Sequence, residues 1–106
     1  MTSDNRPNEL TALKALEKIN GGSLTSEALV ESCLAQIRER EDTVGAWAFL
    51  SPDHVLDAAR AADTGASPGP LRGLPVEVKD IMDTVDMPTT YGSPIYDGHR
   101  PVRDAS

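Results

Sequence analysis

Lys79 is the residue with the widest chemical reach. It stands near the end of "LPVEVKD", residues 74–80. On a strand, with its period of two, Val76 and Val78 share one face and Glu77 and Lys79 the other. An ammonium at the end of an apolar run admits three readings. It can close the strand and reach back to water along its methylene stem. It can be a kinase-type strand lysine, since "VEVK" echoes V-A-I-K, but that needs an upstream G-x-G-x-x-G-x-V loop. Here the glycines Gly65, Gly69 and Gly73 are spaced otherwise, with prolines among them, and no H-R-D or D-F-G follows. Third, it can be a lysine held neutral in a dry site, acting as a base or as a Schiff-base nucleophile.

Other polar residues carry weaker signals. Asp80, Asp83 and Asp86 recur every three residues. Hard cations favour several carboxylates, but EF-hand spacing is absent and Pro88 breaks any helix soon after. Solvated loop carboxylates are expected, and no metal site. His54 has no ligand partner at helical spacing and reads as a surface histidine. Cys33 is the only cysteine. It falls on an apolar helical stripe and reads as a small core residue. It excludes an intrachain disulfide and a cysteine-based zinc site, and it fits a reducing cytoplasm.

The 106 residues fit one small domain or a piece of a larger one. Hydrophobic residues make up 39% and aromatics 4%, so Leu, Val, Ile and Ala must build the core. Ten Lys plus Arg against seventeen Asp plus Glu give a net charge of -7. That balance argues against a nucleic-acid partner, because phosphate binding needs a basic surface. "MTSDNRPNEL" lacks the basic and apolar regions of a signal peptide. No apolar run approaches the roughly 20 residues of a membrane span. A cytoplasmic protein without membrane contact is expected.

The elements that must position Lys79 divide near Ala66. Residues 1–8 are polar, contain Pro7 and read as a flexible tail, with a single segment over 9–106. "ELTALKALEKIN" places Leu10, Leu13, Leu16 and Ile19 at near-helical spacing, and Gly21 and Gly22 stop it. "LTSEALVESCLAQIRERE" predicts the strongest helix, with Thr25 as N-cap, Glu27 in the first turn, and Val30, Cys33, Leu34 and Ile37 as its apolar stripe. "GAWAFLS" (residues 45–51) reads as a short buried strand holding Trp47 and Phe49. "SPDHVLDAARAAD" predicts a helix with Ser51 as N-cap and Pro52 at its first position, and Val55, Leu56, Ala59 and Ala62 free to pack. "TGASPGPLRG" is a loop, "LPVEVKD" a strand, and "MPTTYGSPIYDGHRPVRDAS" a structured loop of the kind that carries sites.

The stretch "GPLRGLPVEVKDIMDTVDMPTTYGSPIYDGHRPVRDA" resembles the amidase signature family. The resemblance rests on an ordered set: the G-P-L-x-G-L-P lead-in, V-K-D, D-T-x-x-M-P-T-T-x-G-S and R-P-x-R-D-A. The upstream helix and "GAWAFL" are similar too, so it covers roughly Leu10 to the end. It implies an α/β fold, with helices followed by short strands of a mixed sheet, here the N-terminal part of a chain several hundred residues long. It implies amide hydrolysis by a nucleophilic serine, a second serine on a cis peptide bond, and a lysine that Lys79 matches. The family's Gly/Ser-rich signature is absent here. Ser51, Ser67, Ser93 and Ser106 lie outside any such context, and Ser93 in "TYGS" reads as loop structure.

The implied role explains an ammonium at this position. A base must be neutral when it takes a proton. At a reference pKa of about 10.4, only about 1 lysine in 2,500 is neutral at pH 7. Reaching about 7 requires roughly 4–5 kcal/mol of differential interaction, which desolvation can supply. Leu74, Val76, Val78 and Ile81 are the apolar neighbours expected to provide it. Glu77 opposes this, because a nearby carboxylate favours the charged form and the family commonly has a small or apolar residue there. The resemblance implies a small amide substrate and no cofactor, and leaves open a homodimer of the full-length enzyme. The alternative is a non-catalytic remnant or small helical interaction module that lacks the nucleophile; a lysine Schiff-base enzyme comes third.

Overall fold

The structure is a computed structural model and describes residues 6–65 and 69–106. Part of the "TGASPGPLRG" loop and the first five residues of the expected tail lie outside the described residues. The chain separates into two units.

The first unit comprises residues up to 46 and residues 51–75. It holds three helices: α1 (Ala12–Gly21), α2 (Ser26–Val44) and α3 (Pro52–Asp63). Each begins as local chemistry dictates. Thr11, Thr25 and Ser51 are extended N-caps whose side chains accept from the backbone N–H of Lys14, Ala28 and His54. Pro52 opens α3. Gly22 ends α1 in the left-handed region at φ 85° and donates to the Ile19 and Lys18 carbonyls.

Leu29, Val30 and Leu34 of α2 are buried with Ala15 of α1 and Ala59 of α3. Cys33 and Ile37 are half-buried, so the expected stripe faces inward, with Leu29 added to it. A 3-10 turn at Pro7–Glu9 packs on α2, where Asn8 N–H donates to Ser32 Oγ at 3.1 Å and Ser32 Oγ donates to Asn8 Oδ1 at 2.7 Å. Gly73 stands at φ 91°, a conformation strained for any residue with a Cβ. A Cβ there would stand 3.4 Å from Ile19 Cδ1 and from Ser26 Cβ, and its carbonyl accepts from Ser26 Oγ at 2.7 Å.

The second unit comprises residues 47–50 and 76–106. Its one regular element among the described residues is a 3-10 turn at Pro94–Tyr96. The expected α/β class is corrected: the described residues form helices and turns, with no strand and no sheet. Both "GAWAFL" and "LPVEVK" are irregular. A strand exists only as part of a ladder, and no described segment donates one to either. Burial fails alongside: Phe49 and Val78 are exposed, and Val76 is 84% exposed.

Candidate active site

The site lies in the second unit, and Lys79 sits where the irregular 74–79 stretch meets a turn. The turn is closed by Met82 N–H donating to the Lys79 carbonyl at 3.0 Å. The Lys79 side chain is exposed. Glu77 is exposed as well, and no ion pair joins the two among the described residues. The apolar shell expected of Leu74, Val76, Val78 and Ile81 does not form. Leu74 is half-buried and the other three are exposed.

Asp80, the next residue, is the pivot. Its Oδ1 accepts from Thr90 N–H at 2.8 Å and its Oδ2 from the Thr90 hydroxyl. Its carbonyl accepts from Tyr91 N–H at 2.9 Å. The Thr90 hydroxyl, and then the Thr90 N–H, hold the Asp80 carboxyl below the usual carboxylate range, since both bonds favour the charged form. Thr89 is 1% exposed. Its N–H donates to the His99 carbonyl at 2.9 Å and its hydroxyl to the Met82 carbonyl at 3.3 Å.

Asp83 continues the pattern. Its side chain accepts from the Tyr91 hydroxyl, and its carbonyl from Ala105 N–H at 2.8 Å. The bond to Asp83 pushes the Tyr91 phenol above its ordinary value, because it favours the protonated form. Tyr91 has a φ of 54°, uncommon for a non-glycine residue. Its ring meets Tyr96 edge-on at 5.0 Å between centroids, and His99 lies 6.0 Å from both rings. Asp104 Oδ1 accepts from Val85 N–H at 2.8 Å. Asp80 and Asp83 are thus half-buried fasteners rather than solvated carboxylates, while Asp86 is exposed. The three-residue spacing carries no information about these bonds; the usable signal is an aspartate with a threonine ten residues on, inside T-T-Y-G, whose hydroxyls and N–H groups can answer it.

Two of the remaining serines have structural duties. Ser51 caps α3, and Ser93 Oγ accepts from Ile95 N–H at 3.3 Å to cap its 3-10 turn. Ser106 is exposed, and Ser67 lies outside the described residues. His54 is exposed in the first turn of α3. Burial pushes the Cys33 thiol up, which favours its protonated form. Among the described residues no three His, Cys, Asp or Glu side chains are grouped to hold a metal ion. No described helix is long and apolar enough to cross a membrane.

Comparison with known proteins gives a consistent result. Residues 28–106 match the family described as Amidase. A glutamyl-tRNA(Gln) amidotransferase chain of Chloroflexus aurantiacus is 44% identical over 101 residues, which is 92% of this chain and 21% of that protein. The Rhodopirellula baltica protein of the same name is 35% identical over 100 residues, covering 91% of this chain and 20% of that protein. A Mycobacterium bovis protein named "Putative amidase AmiD" is 40% identical over 102 residues, again 92% of this chain and 21% of the relative. The chain therefore spans about a fifth of the length of the relatives it matches. Lys79, Asp80 and the loop that answers them all lie inside the matched region, and the chain belongs to the amidase signature family.

Proposed function

We propose that this chain is the N-terminal part of an enzyme that hydrolyses carboxylic amides to an acid plus ammonia or an amine. The observation that supports it is the ordered set of motifs around Lys79 within the region matched to Amidase. In this reading Lys79 is the base. It draws a proton from the nucleophilic serine through a bridging serine, and the serine oxygen attacks the amide carbonyl. The C–N bond breaks, the proton leaves with the amine, and water then releases the acid from the acyl-enzyme. Both serines would lie beyond residue 106, as would the groups that dehydrate Lys79, which is exposed here. A small amide is the substrate, no cofactor takes part, and a cytoplasmic location and a homodimer of the longer enzyme accompany the reading.

A second reading is a component of an amidotransferase. It is favoured by the 44% identity to a protein of that name. The net charge of -7 argues against an RNA-phosphate contact through these residues.

The test begins with the coding sequence past Ser106, where an in-frame Gly/Ser-rich signature is expected. The encoded protein is then assayed for ammonia release from acetamide, benzamide and glutamine. A stop codon directly after Ser106 would instead favour the non-catalytic helical module.

A further inference from the structure

Asp80 makes more contacts than a surface turn requires. Both of its carboxylate oxygens are taken by one residue, Thr90, through the N–H at 2.8 Å and through the hydroxyl. A third bond, Tyr91 N–H to the Asp80 carbonyl at 2.9 Å, locks the same two segments. Thr89 adds a buried strut to the Met82 carbonyl, and Met82 N–H closes on the Lys79 carbonyl at 3.0 Å. The peptide from which Lys79 projects is thereby bracketed on its C-terminal side by bonds that converge from residues 82, 89, 90 and 91. The left-handed Tyr91 is the strained partner of this arrangement. A bulky residue holds such a φ only where its surroundings over-determine it.

We propose that Asp80 is a positioning residue for Lys79: its clamp on Thr90 and Tyr91 fixes the backbone from which the lysine reaches the reacting proton. This rests on the reading of Lys79 as the base. Asp80 touches neither substrate nor reacting atoms in this role. It acts by placing the lysine, and a misplacement of about 1 Å can cost about 10²-fold in rate. The clamp also accounts for the hydroxyl in T-T-Y-G: Thr90 uses it to engage the second carboxylate oxygen, a bond that a valine of equal size cannot make.

The protein encoded by the gene is assayed for ammonia release as Lys79→Ala, Asp80→Ala, Asp80→Asn, Thr90→Val, Thr90→Ser and the double variant Asp80→Ala/Thr90→Val. We expect Asp80→Ala to lower kcat about 10²-fold and Thr90→Val by at least about 10-fold, with KM within about 2-fold. Thr90→Ser restores the hydroxyl and should restore kcat. The double variant should cost little more than Asp80→Ala alone, since one clamp is broken in both. If Asp80→Ala loses helical circular dichroism, Asp80→Asn and Thr90→Val decide, because each keeps side-chain volume. Loss of activity in Lys79→Ala, with kcat unchanged within about 3-fold in the clamp variants, would overturn the positioning role alone. Unchanged activity in Lys79→Ala, or no ammonia from any of the three amides, would overturn the lysine reading and the positioning role with it.

Discussion

A lysine that takes a proton must first shed its water, and the described residues leave Lys79 in solvent beside an exposed Val76 and Val78. Because Lys79 is exposed, its removal should leave the fold intact, and the proposed role as base is what its loss would test. In the active protein, Lys79→Ala should lower amide hydrolysis by at least about 10³-fold, toward the upper end of what general-base catalysis contributes. The helical circular dichroism should stay as it was. An intact fold with unchanged turnover would remove Lys79 from the reaction. The fasteners around it have their own pH limits. The Asp80 carboxyl sits below its ordinary range, so its bonds to Thr90 contribute fully above about pH 4 and are lost as pH falls through the lower folded value. Tyr91 is shifted the other way. Its bond to Asp83 contributes fully below about pH 10 and is lost as pH rises through the higher folded value. In a His99→Gln background, which removes the imidazole 6.0 Å from the Tyr91 ring, amide chemical shifts of Thr90 and Tyr91 should therefore hold steady between these limits and move outside both. Shifts that move near neutral pH would contradict the two hydrogen bonds.

At the scale of elements, the start of α2 is fastened twice. Thr25 Oγ1 accepts from Ala28 N–H at 3.1 Å, which is the local cap. The Asp63 carboxylate at the end of α3 accepts from Ser26 N–H at 2.7 Å and Glu27 N–H at 3.0 Å, placing an anion at the positive end of the helix dipole. Arg60 ties the same corner by bonding Glu27 at 2.9 Å. Asp63→Ala should cost about 1–2 kcal/mol and Thr25→Ala about 1 kcal/mol, each lowering the melting temperature by several degrees. Equal melting curves for Asp63→Ala and the parent chain would show that the second cap is idle. The two caps also show what a sequence can reveal. Thr25, Ser51 and Gly22 after α1 act within a few residues of their own helices, and they are legible. Asp63 acts on a helix start 37 residues away, and Asp80 on a loop ten residues on, so neither role shows in a local pattern. "GAWAFL" and "LPVEVK" have strand composition, yet composition supplies no ladder partner, and none exists among the described residues.

At the scale of the whole chain, the two units are held by different forces. The first buries Leu29, Val30 and Leu34 of α2, a helix packed on α3 and on the Pro7–Glu9 turn, and each such side chain contributes about 2 kcal/mol. In the second, the buried residues are Thr89 and Pro101, while Ile95 is 86% and Val102 92% exposed. Its order rests on hydrogen bonds among loops, each worth only about 1 kcal/mol net where water competes. Apolar surface left open in this way also invites association. Residues 1–106 alone should accordingly show no amide hydrolysis, partial helicity and weakly cooperative melting. Amide hydrogen exchange should separate the units, with strong protection confined to the middle of α2 and to α3, and rapid exchange over residues 76–106. Thr89 N–H, bonded to the His99 carbonyl, is the expected slowest site of the second unit. The experiment is exchange resolved by segment on the purified 106-residue chain, with monomer fraction and thermal melting measured alongside. A soluble monomer with one sharp transition at about 45–65 °C, and residues 76–106 protected as strongly as α2, would sink this view. It would mean that hydrogen-bonded loops around Asp80 and Thr89 suffice to fold the second unit without an apolar core, and it would favour an independent module over part of an enzyme.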